Sequence, residues 1–479
     1  MEKITNYIDG KLQSPISGDY IDLYNPAKGV VYSQVPSSDI EDVEQAIAAA
    51  EAAFPVWSNM SIDQRSMIMS KIANLIDQNL DALAKAESLD NGKPIWLAKK
   101  VDIPRASSNF RFFAQAITQF STSAHEMTNA INYTLRQPLG VVATISPWNL
   151  PLYLFTWKIA PALAAGNTVI AKPSEVTPMS AFLLSELCIE AGLPKGVLNI
   201  IHGDGLKVGA ELSKHKKIKA ISFTGSTRVG AEIAKVTAPM FKKVSLEMGG
   251  KNPNIIFADC DYEKALKTSV SSSFANQGQI CLCGSRIYVE RSIYDKFKAD
   301  FVEKTKAMKV GPPDQADTKQ GALVSKAHYE KVLNHIEIAK SEGGNILTGG
   351  EAVFPAGHEK GWYIAPTIID GLPNMCRTNQ EEIFGPVVTI MPFDTEEEVL
   401  GYANSTDYGL SATLWTENLS RANRMAKHIH AGIVWVNTWL LRDLRTPFGG
   451  VKNSGVGREG GFEALRFFTE PKNVCIQFD

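Results

Sequence analysis

The sequence predicts an α/β protein with a parallel, doubly wound sheet and a second α/β domain after it. From Gly140 onwards, short apolar strands alternate with helical segments, which is the pattern of parallel βαβ units. The same alternation starts again after Gly250. The chain has 479 residues, too many for one compact core, so two or three domains are expected.

The N-terminal third carries the start and stop signals of helices, and Asn91-Gly92 is predicted to end its second helical region. The predicted helices are 43–53, capped by Ser38 and Asp39 and stopped at Pro55; 67–76, after the capping box of Ser61 and Gln64; and a helix that carries Arg105, Phe110 and Phe113, with Pro104 in its first turn or at a kink.

The first sheet is predicted from five strands with helices between them. The strands are 141–145, 168–171, 197–201, 220–223 and 243–246, and the helices are 152–165, Thr177-Pro178 to Gly192, 207–213 and 228–236. Ligands of such sheets bind at the carboxyl ends of strands. Lys172, Gly225-Ser226 and Glu247 each follow a strand, so we expect them to line one crevice.

The second α/β domain has its own strands and helices, and two further segments are predicted to be arms. The strands are 254–257, 287–289, 387–391 and 434–436, and the helices are 262–274, 292–306 and 325–342. The arms are the polar segment 121–136 and the strand-like tail 466–479.

Composition and charge indicate an ordinary globular protein. Hydrophobic residues make up 44% and charged residues 21% of the chain. A net charge of −2 gives no electrostatic reason to expect nucleic acid or an anionic membrane as a partner. No signal peptide is evident and no apolar run is long enough to span a bilayer, so a cytoplasmic protein is expected.

The six cysteines are scattered, and the eight histidines show no paired spacing for zinc, so neither a disulfide framework nor a metal site is expected. Cys281 differs from the other thiols because the small-residue turn that begins at Gly278 presents it before a strand. A thiol there, a lone carboxylate at Glu247 and a turn amide at Asn149 suffice for chemistry on a carbonyl carbon. We assign no role to Cys283.

Taken alone, each of these features also has a structural explanation. Glu247 could be a hydrogen-bonded structural carboxylate, and Asn149 a turn residue between two prolines. No clean Gly-x-Gly-x-x-Gly motif occurs, although the glycines of 203–209 and 225–230 come close to one.

Seven blocks in one order resemble the signature of the NAD(P)-dependent aldehyde dehydrogenase superfamily, across nearly the whole chain. The separation of Glu247 and Cys281 (281 − 247 = 34) matches as well. The blocks are Pro147-Trp148-Asn149, Lys172-Pro173-Ser174-Glu175, Phe223-Thr224-Gly225-Ser226-Thr227, Leu246-Glu247-Met248-Gly249-Gly250-Lys251, Asn276-Gln277-Gly278-Gln279-Ile280-Cys281, Glu382-Ile383-Phe384-Gly385-Pro386 and Pro447-Phe448-Gly449-Gly450.

The resemblance implies an aldehyde dehydrogenase-like fold with three parts, and a homodimer or homotetramer. The parts are a Rossmann-variant NAD-binding domain (1–118 and 139–248), an α/β catalytic domain (249–452) and a small β oligomerisation arm (119–138 and 453–479). It also implies the roles of the site. Cys281 attacks the aldehyde, Asn149 and the Cys281 N–H hold the oxyanion, and Glu247 activates the water that hydrolyses the thioester.

NAD is the cofactor that the resemblance implies. Lys172 and Glu175 would hold the adenosine ribose and Glu382 the nicotinamide ribose. A carboxylate at Glu175 would repel a 2′-phosphate, so we expect NAD rather than NADP. The other predicted cofactor residues are Ile145, Trp148, Ser174, Gly205, Gly225, Ser226, Gly249 and Phe384.

Two arginines narrow the expected substrate. The segments around Arg105 and Arg442 resemble a subgroup that oxidises 2-aminomuconate and 2-hydroxymuconate 6-semialdehydes. A guanidinium there could bind a carboxylate remote from the aldehyde. The structural alternative is that these arginines pair with Asp102 or Asp443 in a domain contact.

Other substrates stay open at this point, among them betaine aldehyde, retinal and fatty aldehydes. A CoA-acylating dehydrogenase is disfavoured because such relatives usually lack the base that Glu247 provides. A catalytically silent structural protein is disfavoured because thiol, base and amide are all present.

Overall fold

The computed structural model describes residues 3–478 and contains two large sheets and a small three-stranded sheet. The first large sheet has eight strands, and its five central strands are parallel, as the strand–helix alternation predicts. In spatial order its strands are Lys11–Gln13, Asn6–Ile8, Leu198–Ile200, Thr168–Lys172, Val141–Ile145, Ala220–Thr224, Lys243–Glu247 and Gly455–Val456.

Apolar side chains of this sheet alternate between two cores, one on each face. Val142 and Val169 belong to one core, and their neighbours Ala143 and Ile170 belong to the other. Helices cover both faces, which is the doubly wound arrangement. The helices of this half are Ile40–Asn59, Ile62–Gln78, Leu80–Asn91, Ile95–Leu97, Ile103–Ala116, Pro151–Ala164, Met179–Ala191, Ala210–Lys214 and Thr227–Thr237, with π-helical turns at Ala98–Asp102 and Gly205–Gly209.

The predicted stop at Pro55 is wrong, because the first helix continues to Asn59. Pro55 removes one backbone hydrogen bond, but the residues beyond it are held by packing. Trp57 is fully buried, and its indole N–H donates to the Leu163 carbonyl at 3.1 Å. The cap predicted at Asp39 and the capping box predicted at Ser61 are present, as is the left-handed Gly92 that ends the third helix.

The second large sheet has seven strands, all parallel except the first. In spatial order they are Asn345–Thr348, Thr367–Asp370, Val387–Phe393, Gly284–Glu290, Asn252–Ile256, Ser411–Trp415 and Ile433–Val436. The sequence did not predict Asn345–Thr348, Thr367–Asp370 or Ser411–Trp415. The helices of this half are Tyr262–Phe274, Arg291–Lys306, Lys326–Ser341, Arg377–Gln380, Glu396–Asn404 and Leu419–His428.

The two segments predicted to be arms pair with each other. Ala130–Pro138 lies between Ala124–Met127 and Thr469–Gln477 in an antiparallel sheet. Residues 453–468 lie elsewhere, because Gly455–Val456 pairs with the edge of the first large sheet and Gly461–Phe467 packs on the helix Pro151–Ala164. The terminal residues 1 and 479 of the predicted domains lie outside the described residues.

Four strands near the N-terminus were not predicted from the helix-rich first third. Besides the two edge strands of the first sheet, Tyr20–Asn25 and Val30–Pro36 form a hairpin. Within residues 3–478, no helix is both long and apolar enough to cross a lipid bilayer.

Candidate active site

Half of the predicted site residues meet in a crevice of 260 Å³ at the carboxyl ends of the first-sheet strands, where loops of the second half close over it. The crevice joins groups from segments that are far apart in the chain. The predicted residues that line it are Trp148, Asn149, Gly225, Ser226, Gly249, Cys281, Glu382 and Phe384, and the rest of the wall is Pro147, Thr224, Met248, His328 and Lys331.

Cys281 follows a turn with three consecutive residues in the left-handed region. The φ angles of Asn276, Gln277 and Gly278 are 52°, 59° and 69°. Only glycine adopts this region at little cost, so the two side-chain-bearing residues each store on the order of 1–3 kcal/mol of strain. The surrounding structure holds this turn, because the Gln277 side-chain amide donates to the Ala322 carbonyl at 2.9 Å.

The backbone that follows the thiol is fixed by side-chain donors. Asn252 Nδ2 donates to the carbonyls of Cys281 and Cys283 at 2.7 and 2.9 Å. The Trp439 indole N–H donates to the intervening Leu282 carbonyl at 2.9 Å. Cys283 itself is buried in the main apolar core, which makes it a packing residue.

The surroundings of Cys281 do not favour a thiolate. Burial raises the pKa of its thiol far above the usual range, and the nearby carboxylates of Glu382 and Glu247 raise it further. The Arg442 guanidinium lowers this pKa only in part. The thiol is therefore protonated at neutral pH, and attack on a carbonyl needs a base that removes its proton.

Asn149 is held by its backbone carbonyl, and one side-chain N–H is left for a ligand. Its carbonyl accepts bonds from Asn276 Nδ2 at 2.9 Å, Lys93 Nζ at 3.2 Å and Asn91 Nδ2 at 3.4 Å. Its own Nδ2 donates one bond to the Gln279 carbonyl at 2.9 Å. An amide nitrogen has two hydrogens, so the second can face an oxyanion beside Cys281.

Glu247 ends a first-sheet strand and is 3% exposed. Neither carboxylate oxygen makes a hydrogen bond of normal geometry, although the Gly450 N–H lies near enough to lower the pKa slightly. Burial, followed by the nearby Glu459 carboxylate, raises the pKa of Glu247 well above its usual range. Lys158 and Arg458 oppose this shift only in part. Such a carboxylate accepts a proton more readily than an exposed glutamate does.

The Glu382 carboxylate packs against the backbone of the glycine turn that follows Glu247. Its Oε1 accepts the Gly250 N–H at 2.8 Å. A Cβ atom on Gly249 would lie 2.3 Å from Oε2, so a glycine is needed for this approach. Burial raises the pKa of Glu382, while Lys331 and Lys251 oppose the shift.

Lys172 and Glu175 form an ion pair at the end of their strand. Lys172 Nζ donates to Glu175 Oε2 at 3.0 Å and to the Pro173 carbonyl at 3.1 Å. The Ser174 hydroxyl accepts the Val176 N–H at 3.2 Å. The ammonium is therefore placed beside a carboxylate that stays about one-third exposed and open to a ligand.

The remaining predicted cofactor residues surround the same strand ends. A Cβ atom on Gly209 would lie 3.9 Å from side-chain carbons of both Ile145 and Lys172, so the turn that begins at Gly205 packs on them. Ser226 caps the helix Thr227–Thr237. The Gly225 N–H donates to the Glu247 carbonyl at 3.0 Å. Together these contacts place a helix N-terminus at the crevice.

A wide vestibule of 860 Å³ holds Arg105 and Arg442. Neither arginine forms an ion pair within residues 3–478. The alternative pairings are wrong, because Asp102 binds Lys93 at 2.7 Å and Asp443 binds Arg445 at 2.6 Å. Arg442 lies near enough to Cys281 to lower its thiol pKa, although Cys281 itself does not line the vestibule.

Both guanidinium groups keep a buried nitrogen without a hydrogen-bond partner. These atoms are Arg105 Nε and Arg442 Nη2. A buried unpaired donor on a cation is costly, and an anionic ligand would satisfy it. The vestibule therefore has the chemistry of a carboxylate site.

Sequence reasoning missed three residues that contact the predicted site. His328 packs 4.9 Å from Trp148 between ring centroids and bonds the Phe384 carbonyl through Nε2 at 2.7 Å. Lys331, one helical turn later, donates to the Glu382 carbonyl at 3.3 Å. No sequence motif marks Tyr153, whose hydroxyl accepts a hydrogen bond from Arg442. The three-residue spacing of His328 and Lys331 was the sequence signal that could have indicated that both lie on one helix face.

The fold and site define an aldehyde dehydrogenase. The model of the aldehyde dehydrogenase family matches residues 14–474, and the chain belongs to that family. It is 49% identical to the 2-aminomuconic semialdehyde dehydrogenase of Bos taurus, over 99% of this chain and 98% of that protein. It is 47% identical to the 2-hydroxymuconic semialdehyde dehydrogenase of Pseudomonas sp. (strain CF600), over all of both chains.

A solved structure of similar shape is the NAD+ complex of an aldehyde dehydrogenase from Bacillus cereus. The two chains superpose with a TM-score of 0.97 at 40% identity, over 100% of this chain and 97% of that one. The predicted fold class and the predicted family are confirmed.

Proposed function

We propose that this enzyme oxidises a carboxylate-bearing semialdehyde to the acid with NAD as cofactor. The observation that carries the substrate class is that Arg105 and Arg442 line one vestibule and that each keeps a buried guanidinium nitrogen without a partner. The relatives that the chain resembles are named for muconic semialdehydes, which carry a carboxylate. We propose 2-aminomuconate 6-semialdehyde as the substrate, with 2-hydroxymuconate semialdehyde as the alternative.

Cys281 is the nucleophile. Because its thiol pKa is raised, a base takes the proton as sulfur attacks the aldehyde carbon. Glu247 is the base we assign to this task, because burial and the nearby Glu459 carboxylate raise its pKa and make it a stronger proton acceptor than an ordinary carboxylate. The attack forms a thiohemiacetal whose oxyanion accepts the free Asn149 N–H and the Cys281 backbone N–H. These donors stabilise the charge as it develops.

NAD, when bound, supplies the hydride acceptor. Oxidation of the thiohemiacetal leaves a thioester on Cys281. Glu247 then removes a proton from water, which attacks the thioester carbon, and the acid leaves as the thiol is restored. The same residue thus serves in both halves of the cycle, because it passes its first proton to solvent between them.

The crevice fits a dinucleotide. The Gly249 position admits no Cβ beside the Glu382 carboxylate, which leaves backbone and carboxylate open to a ribose. Lys172 and Glu175 would hold the other ribose through its hydroxyl groups. The partly exposed Glu175 carboxylate would meet a 2′-phosphate with like charge, which favours NAD over NADP.

The small three-stranded sheet supports assembly into a homodimer or homotetramer through the parts of the predicted arm (119–138 and 453–479) that form it, which are 124–138 and 469–477. Its surface exposes apolar side chains at Met127, Leu135, Ile476 and Phe478. Such a surface is typical of an interface. We also infer an NAD-binding domain over 1–118 and 139–248 and a catalytic domain over 249–452, since each carries one of the two large sheets.

The test is Arg105→Ala and Arg442→Ala, each assayed with a muconate semialdehyde and with hexanal. Loss of a charge-assisted bond should raise KM for the semialdehyde by about tenfold to a hundredfold. KM for hexanal should change little, because it has no carboxylate. Arg291→Ala, which pairs with Asp394 on the exposed surface of the second half, is the matched control. Equal effects on both aldehydes would contradict the substrate class.

A further inference from the structure

Tyr153 lies between the two vestibule arginines and contacts both. Its hydroxyl accepts a hydrogen bond from Arg442 Nη1 at 2.9 Å. The Arg105 guanidinium carbon lies 5.4 Å from the centroid of its ring. The residue is 9% exposed and sits in the first turn of the helix Pro151–Ala164. One side chain therefore joins two cations that come from distant parts of the chain.

Two aromatic rings pack close to the Arg442 guanidinium. Its central carbon lies 3.9 Å from the Phe448 centroid and 5.2 Å from the Trp157 centroid. A ring attracts the cation but does not fix which way the N–H donors point in the guanidinium plane. The bond to the Tyr153 hydroxyl is directional, so it sets that rotation. It thereby sets the direction of Nη2, the buried nitrogen that has no partner.

The same helix start also carries the proposed oxyanion donor. Asn149 precedes Tyr153 by four residues and is fixed through the Gln279 carbonyl, two residues from Cys281. The helix of Arg105 is tied to this turn as well, because Asn109 Nδ2 donates to the Tyr153 carbonyl at 3.0 Å. The position of the aldehyde and the direction of the arginines thus depend on one short, buried segment.

We propose that Tyr153 is a positioning residue that fixes the distance between the aldehyde site at Cys281 and the carboxylate site at Arg442, and so selects semialdehydes of one chain length. This inference rests on the proposed function. Tyr153 acts through Arg442 and Arg105 and takes no part in the covalent steps. A purely structural tyrosine in this place would affect all aldehydes alike.

The first experiment removes only the hydroxyl group. Tyr153→Phe should raise KM for the muconate semialdehyde by about tenfold, the cost of one hydrogen bond to a charged group, with kcat within about twofold of the parent. KM for hexanal should not change. Tyr24→Phe, an exposed tyrosine far from the site, is the matched control. Equal changes for both aldehydes, or no change for either, would overturn the proposal.

The second experiment combines Tyr153→Phe with Arg442→Ala. If Tyr153 acts through Arg442, the double variant should have the semialdehyde KM of Arg442→Ala alone. Independent, additive effects would overturn the proposal while leaving the proposed function intact. If Arg442→Ala itself leaves the semialdehyde KM unchanged, the proposed carboxylate site fails and this inference fails with it.

The third experiment measures chain-length selection with saturated ω-semialdehydes of four to seven carbons. The parent enzyme should show a maximum of kcat/KM at one length, and Tyr153→Phe should flatten that maximum. Thermal unfolding of each variant shows that it is folded. An unchanged length preference in a folded Tyr153→Phe enzyme would contradict the positioning role.

Discussion

Gly278 packs directly against the Gly385 carbonyl: a Cβ atom on Gly278 would lie 2.1 Å from that oxygen. The contact joins the turn that presents Cys281 to the loop that carries Glu382 and Phe384. Because the obstructing atom belongs to the backbone, a larger residue at position 278 would force one of the two loops to move.

We expect Gly278→Ala to lower both kcat and the thermal unfolding temperature. The substitution adds the strain of a left-handed φ of 69°, about 1–2 kcal/mol, to a steric clash that displaces the thiol. Gly343→Ala is the matched control, since Gly343 has a φ of 89° but no atom within 4 Å of the added Cβ. The prediction is contradicted if the two variants lose stability equally and Gly278→Ala keeps full activity.

Asn149→Ala should reduce kcat by about 10²–10³ with little change in KM, because the oxyanion forms only after attack. Steady-state kinetics with the semialdehyde measures this. Asn423→Ala, on the exposed face of the helix Leu419–His428, should behave as the parent does. A decrease in kcat of less than about fivefold would contradict the role of Asn149 as an oxyanion donor.

The rate of thioester hydrolysis should rise with pH as Glu247 ionises. The pKa of this carboxyl group is raised, so it is protonated and inactive as a base at low pH, and it becomes active as pH rises through that pKa. Glu247→Gln should abolish the rise, and because the same residue also takes the thiol proton before oxidation, NADH formation should be slow from the first turnover, without a burst. Glu232→Gln, on an exposed helix surface, should keep the parent profile. A parent-like profile in Glu247→Gln would assign the titration to another group.

Glu175→Gln should shift cofactor preference towards NADP. Removing the carboxylate removes repulsion of a 2′-phosphate, and we expect the ratio of kcat/KM for NADP to that for NAD to rise about tenfold or more. Glu186→Gln, exposed on the following helix, should leave the ratio unchanged. If the parent already uses NADP more efficiently than NAD, the cofactor assignment is refuted.

Ile476→Glu should weaken self-association of the enzyme. The side chain is 47% exposed on the small sheet, and a carboxylate there would have to lose its hydration in an interface. Light scattering coupled to size-exclusion chromatography should show a smaller species. Phe354→Glu introduces the same charge at another exposed apolar position and should leave the size unchanged. An unchanged size for Ile476→Glu would place the interface elsewhere.

The strands that end at Lys172 and Glu247 could be predicted because each is a short apolar run followed by a polar residue. That local pattern is enough to place both side chains at one sheet edge. The strand Asn6–Ile8 could not be predicted in this way. It pairs through Tyr7 with Ile200, and three residues carry too little periodicity to reveal so distant a partner.

The candidate site was predictable where motifs mark it and unpredictable where it depends on long-range pairing. Cys281, Glu247 and Asn149 stand in recognisable blocks. The position of Arg442 next to Asp443 in the sequence did not predict their pairing, since Asp443 instead binds Arg445. The raised thiol pKa of Cys281 also depends on Glu382, which lies 101 positions later in the chain (382 − 281 = 101).

The strand that ends in Glu247 has its outer edge covered by Gly455–Val456, with Glu247 opposite Gly455. Chains are synthesised from the N-terminus, so this edge stays bare while the ribosome translates almost all of the second half. An unpaired strand edge is a template for association with other chains. Prematurely terminated chains would therefore tend to aggregate and require chaperones rather than act as weakly active enzymes. Glu247 would acquire its final surroundings only near the end of biosynthesis.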